Sequence, residues 1–169
     1  MRYLSGLLVC FIAILSGCGV SEPPQWKSWR DQFVLKAKPD GAITITEAIA
    51  LPADQESEIA IFAQIGDGRG DTFDNKNASF LLSEAPDKAH QGKPGHDPDG
   101  CPFCMQKMAN APTVTVGFSD DQGKPILVDA RKLFGVTKGD IVVVKGKGSY
   151  EESMKLLTIN ATGLHVVRN

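Results

Sequence analysis

Lys132-Leu133-Phe134-Gly135-Val136-Thr137-Lys138-Gly139-Asp140-Ile141-Val142-Val143-Val144-Lys145-Gly146-Lys147-Gly148 is the stretch that decides the fold class. Four consecutive β-branched residues, Ile141 to Val144, favour a strand, because branching at Cβ restricts χ1 and suits a pleated, half-buried surface. Gly139-Asp140 is a turn signal directly before them. Gly146 and Gly148 permit the bulges and tight bends of a small, strongly curved sheet. Upstream, Arg131 to Gly135 reads as a single helical turn.

Working outward, other short apolar runs have the period of strands. Ile43-Thr44-Ile45-Thr46 alternates. Glu58 to Ile65 places Ile59, Ile61, Ala63 and Ile65 on one face, and Val114, Val116 and Phe118 alternate in Thr113 to Phe118. Ala78 to Leu82, Ile126 to Val128, Leu156 to Ile159 and Leu164 to Val167 complete the series. Asp120-Asp121-Gln122-Gly123 has the composition of a hairpin connection, and no repeat of fixed period is present. Short β-rich runs separated by turn residues predict an all-β sandwich or barrel. The passage Lys132 to Gly148 resembles the fourth strand of an OB-fold barrel, entered from a short helix through a Gly-Asp turn. Glu58 to Gly66 resembles an early strand of that fold, and Leu156 to Ala161 its closing strand. The resemblance covers Gly41 to Val167. It implies a mostly β protein: a small OB-fold-like barrel with short helices and a Cys/His-containing loop insertion.

The amino-terminal residues have a different character. Arg2 is a short positive region, and Leu4 to Leu15 are apolar apart from Ser5 and Gly6. About a dozen residues suit a signal sequence and are too few for a membrane-spanning helix. Leu15-Ser16-Gly17-Cys18 follows and resembles the bacterial lipobox. That resemblance implies cleavage of residues 1–17, diacylglycerol on the Cys18 thiol, and stable anchoring by two or three acyl chains. Residue 19 is glycine rather than the aspartate associated with inner-membrane retention, which implies the periplasmic face of the outer membrane. Residues 18–40 are expected to form a tether and a short helical segment, since Trp26, Trp29 and Phe33 fall on one helical face. Residues 41–169 are expected to form the barrel domain, with its insertion at 84–112.

Composition narrows the function classes. The chain has 169 residues, with 18 basic and 20 acidic side chains. Loss of Arg2 with the signal takes the basic count to 17, a net charge of −3. With few aromatics, this argues against the basic, aromatic groove that nucleic-acid binding needs. Arg131, Lys132, Lys138, Lys145 and Lys147 form a local basic stretch, read as solvated strand faces that protect sheet edges. Cys10 leaves with the signal and Cys18 carries lipid, so Cys101 and Cys104 remain as a pair. In an oxidising compartment the pair is expected to be a disulfide, a redox couple or a metal ligand set.

The chemistry concentrates in Glu84 to Pro112, a loop long enough to imply a function. His90, His96, Cys101 and Cys104 place two imidazoles and two thiolates within fifteen residues. Such donors suit tetrahedral Zn²⁺. If Phe103 to Ala109 is helical, Cys104 and Met108 share a face with Met105 close by, a thiolate–thioether set that suits Cu(I). Cys101-Pro102-Phe103-Cys104 resembles the glutaredoxin-like active-site tetrapeptide, which implies thiol–disulfide exchange. In that family the motif opens a helix after a strand, whereas here it follows a Gly/Pro/Asp-rich loop. A structural Cys101–Cys104 disulfide is the third possibility. Covalent haem attachment is excluded because Met105 occupies the required histidine position. Gly66 to Asp71 lacks the ligand spacing of a calcium loop. His165 lies in the last strand as surface or core filler; Asn169, four residues on, is not the tyrosine used by the tethered OB-type haem chaperone.

Three functions are therefore expected in competition. One is a membrane-tethered, non-catalytic binding lipoprotein of the cell envelope, holding zinc or copper or meeting another envelope protein. The others are a thiol–disulfide exchange protein and a structural envelope protein with a Cys101–Cys104 disulfide.

Overall fold

The computed structural model describes residues 22–51, 57–66, 70–85, 106, 112–154 and 156–167. Five strands form one mixed sheet: β1 (Ser57–Ile65), β2 (Ser79–Glu84), β3 (Thr113–Phe118), β4 (Ile141–Glu151) and β5 (Leu156–Val166). The sheet closes in a ring in the order β1-β2-β3-β5-β4, with β4 returning to β1. All neighbours are antiparallel except β3 and β5, which run parallel from Thr113↔Leu156 to Phe118↔Ala161. Three short helices accompany it: α1 (Pro24–Phe33), α2 (Ile45–Ile49) and α3 (Ala130–Phe134).

The alternation expected for β1 and β3 is what fills the ring. Ile59, Ile61, Ala63 and Ile65 are buried from one side, and Val114, Val116 and Phe118 from another. Phe33, Phe80, Phe118 and Phe134 continue the core, with Phe33 and Phe118 meeting edge to face at a centroid separation of 5.2 Å. Edge-to-face contacts of this kind add to the area term of burial. The register of β4 against β5 shifts between Lys145 and Gly146. A Cβ at Gly146 would collide with the backbone of Asn160 and Ala161, so glycine is required there for the strands to approach.

Three expectations change. Ile43 to Thr46 is not a strand. Ile43 makes one parallel bridge to Ile61, and Thr44 then caps α2. The Thr44 Oγ1 accepts from the Glu47 backbone N–H at 3.2 Å, and the Glu47 carboxylate accepts from the Thr44 N–H at 2.7 Å. This reciprocal box outweighs the two-residue alternation. Ile126 to Val128 makes no strand either: Ile126 is buried, while Leu127 is 75% exposed. Leu156–Ile159 and Leu164–Val167 belong to a single strand, β5, whose intervening Asn160 and Thr162 are exposed.

Two segments seal open edges of the ring. β1 pairs with β2 over only Ala63↔Glu84 to Ile65↔Leu82, and Ile43 occupies part of the remaining edge. Val34 bridges Leu164 beyond the end of β3, and Leu35 packs flat against Gly163. Helix α1 therefore docks on the same core, with Trp26 and Trp29 against it.

The strand directions give the ring two distinct ends. At one lie the β1–β2 connection, the turn after β3, α3 and the start of β4. At the other lie the start of β1, the β2–β3 connection, the β4–β5 hairpin and α2.

Candidate functional site

His90, His96, Cys101 and Cys104 lie outside the described residues, as do Cys18, Met105 and Met108. The structure does define what carries the segment holding the metal-type donors. The insertion expected at 84–112 is the connection between β2 and β3. Its two stems are hydrogen-bonded neighbours, paired from Ser79↔Gly117 to Leu82↔Val114. Antiparallel pairing holds opposed Cα atoms about 4.5–5.5 Å apart, so the stems deliver both ends of the connection to one place on the ring.

The surroundings of that place are polar and partly enclosed. Glu84, the last residue of β2, accepts from the Thr46 backbone N–H at 3.2 Å and from the Thr46 hydroxyl at 3.4 Å. Burial nevertheless pushes its carboxyl above the usual range, and the neighbouring Glu47 charge adds to the effect. Glu47 itself is held below the usual range by the Thr44 backbone and hydroxyl bonds of its capping box. The β4–β5 hairpin lies at the same end and exposes Met154, at 67%. Among the described residues, no three His, Cys, Asp or Glu side chains are grouped to hold a metal.

The opposite end carries a groove of about 310 Å³ between the β1–β2 connection and the turn after α3. Asp129, 7% exposed, caps α3 through the Arg131 backbone N–H at 2.9 Å. It also accepts from Arg131 Nε at 3.0 Å and Nη2 at 2.6 Å. Arg131 donates onward to Asn75 Oδ1 at 2.6 Å, and its guanidinium stands 5.1 Å from the Phe73 ring centre. These bonds hold the Asp129 carboxyl below the usual range and raise Arg131. Thr72, 6% exposed, also lines the groove and has a hydroxyl with no hydrogen-bond partner. Among the described residues the groove is lined by the cations Arg131 and Lys138 and by Asp71, and Arg131 is paired with Asp129.

The late basic stretch does not act as one surface. Arg131 is committed to Asp129, while Lys145 reaches Glu58 at 3.0 Å on the outside of the ring. His165 Nδ1 lies 3.2 Å from the Leu35 carbonyl oxygen, linking β5 to the segment after α1. Sequence reasoning passed over Asp129 and Asn75. Asp129 carried a usable signal, an aspartate immediately before a helical turn; Asn75 carried none.

Neither a protein-family model nor a curated protein matches this chain. Among the described residues, no helix is long and apolar enough to cross a membrane.

Proposed function

We propose that this chain is a membrane-tethered, non-catalytic binding lipoprotein of the cell envelope, an OB-like barrel that displays a metal-binding Cys/His loop. One observation carries the reading. All four donors, His90, His96, Cys101 and Cys104, fall in the single β2–β3 connection, whose stems are fastened side by side on an otherwise complete ring. Two thiolates and two imidazoles match the donor preference of Zn²⁺, and a thiolate with Met108 matches Cu(I). The metal would hold the loop in one conformation. The OB-like reading is supported by the order β1-β2-β3-β5-β4, the parallel β3–β5 pair, and α3 between β3 and β4. The lipobox at Cys18 supports the anchor, and Gly19 supports the periplasmic face of the outer membrane.

The test is metal analysis of the full chain, purified under reducing, metal-replete conditions, beside a Cys101→Ser/Cys104→Ser variant. The expected result is about one zinc or copper per wild-type chain and none in the variant. Equal metal in both overturns the reading. Metal-free wild-type protein from that preparation overturns it, and a quantitative Cys101–Cys104 disulfide in a parallel preparation made without reductant then assigns the pair a structural role.

A further inference from the structure

The groove at the α3 end has walls that the ring itself fixes. The Leu81 backbone N–H of β2 donates to the Thr72 carbonyl at 2.9 Å, and Phe73 bridges Phe80. The Gly139 N–H donates to the Ile65 carbonyl of β1 at 2.8 Å, holding the turn that carries Thr137 and Lys138. Arg131 is set by Asp129, by Asn75 and by the Phe73 ring. Its Nε and Nη2 hydrogens are committed to Asp129 and Asn75. Nη1 keeps both of its hydrogens without an acceptor among the described residues, and the side chain is 45% exposed. The Thr72 hydroxyl is a second, independent signal. It is buried and has no hydrogen-bond partner, and such groups are few in folded proteins. A Cβ on Gly66 would stand 2.9 Å from Lys138 Cγ and 3.1 Å from Thr72 Oγ1, so the lysine stem and the hydroxyl meet over that glycine.

Charge gives the class of ligand. Arg131 is paired with Asp129, which leaves Lys138 and Asp71 as one cation and one anion on the lining. The Asp129 hydrogen bond raises the Arg131 pKa and the nearby Asp71 charge adds to it, yet Asp71 forms no ion pair with Arg131 or Lys138. We propose that the groove binds a small zwitterion, a free α-amino acid, whose carboxylate meets Lys138 Nζ, Arg131 Nη1 and the Thr72 hydroxyl and whose ammonium meets Asp71. Drawing Lys138 Nζ onto the carboxylate lifts the lysine stem from over Thr72, and the freed hydroxyl then donates to the same carboxylate. The lining thus offers each charge of the ligand its opposite. A simple carboxylate meets Asp71 as a like charge, and a simple amine meets two cations, so both are disfavoured. A volume of about 310 Å³ is at the lower end for small-ligand sites and suits a compact molecule rather than a polymer. The site lies at the end of the ring opposite the β2–β3 connection and is independent of any metal held there.

The test is equilibrium dialysis of the full chain, in detergent micelles, against a mixture of the common L-amino acids, with retained species identified by chromatography. Acetate and methylamine are dialysed in parallel. The expected result is retention of one or more amino acids, together no more than one molecule per chain, and no retention of acetate or methylamine. Retention should fall about tenfold or more in Asp71→Asn and in Lys138→Gln, each of which removes a charge-assisted bond. Both side chains are exposed, so these variants should keep the wild-type urea midpoint. Thr72→Val removes the unpartnered hydroxyl, and should raise the urea midpoint of the ligand-free chain while weakening retention. Absence of retention by wild type, or equal retention by Asp71→Asn and Lys138→Gln, overturns the site. Acetate retained as well as the amino acids overturns the zwitterion as its ligand. Unchanged retention by Thr72→Val overturns the part given to the hydroxyl.

Discussion

Replacing Asp129 tests how the α3 end is held together. Its carboxylate has two jobs, each visible as a separate set of bonds. Oδ1 caps α3 by accepting from the Arg131 backbone N–H, and both oxygens engage the Arg131 side chain. Asp129→Ala removes both, and Asp129→Asn keeps an oxygen for the cap while losing the charge. Loss of an N-cap acceptor costs about 1 kcal/mol. Arg131 is 45% exposed, so its guanidinium regains water and the broken pair adds little. Asp129→Ala is therefore expected to destabilise by about 1–2 kcal/mol, and Asp129→Asn by less than about half as much. The assay is urea unfolding of the full chain followed by Trp26 and Trp29 fluorescence. The pH dependence has a definite sign. The hydrogen bonds from Arg131 depress the folded-state pKa, so the advantage of wild type over Asp129→Asn is complete above the unfolded value of about 3.9. It fades as pH falls through the lower folded value. Equal losses for Ala and Asn, or an advantage that persists unchanged at the lowest accessible pH, would refute this division of labour.

Other perturbations address the opposite end. Thr44→Ala breaks the capping box of α2 and should lower stability by about 1 kcal/mol, read from the urea midpoint. Glu84→Gln should raise the melting temperature at pH 7 and leave it unchanged at pH 4. Burial raises the Glu84 pKa, so the folded state favours the protonated form, and this contribution is lost as pH rises through the folded value. Replacing residues 86–111 by a short Gly/Ser turn should leave the ring folded, with unchanged or higher resistance to urea, and abolish metal uptake. Shortening a connection recovers only about 0.6 kcal/mol of closure entropy per halving, and unfolding of this variant would show that the connection is part of the core.

Much of the ring was legible because its strands carry their burial in their spacing. Thr113 to Phe118 is delimited to the residue, and the single helical turn expected at Arg131 to Gly135 is α3, closed by Gly135 in the left-handed conformation. At Ile43 to Thr46, local alternation competes with side-chain hydrogen bonding that a period count ignores. Ile43 to Thr46 alternates, but Thr44 and Glu47 supply both halves of a capping box, and two reciprocal bonds decide the conformation. β5 was split because Asn160, Thr162 and Gly163 interrupt its apolar character. In the ring these residues are in place: the polar pair faces out, and Gly163 admits Leu35. The groove was not legible. Asn75 and Arg131 are 56 residues apart, and nothing local marks them as partners. The proposed donors were legible as residue types alone, since their mutual placement depends on residues beyond those described.

The fold does not explain why those donors are where they are. Phe80, Leu82, Val114 and Val116 are fully buried, and their strands pair through four registered positions. A two-residue turn would serve that pairing; the chain spends 28 residues, from Ala85 to Pro112, instead. Because closure entropy grows only logarithmically with length, such a connection is thermodynamically tolerated, but tolerance gives no reason for its content. Two of the three histidines of the whole chain, and two of its four cysteines, sit between Ala85 and Pro112. The pairing of β2 with β3 does not call for that concentration, whereas the binding chemistry proposed for the connection does.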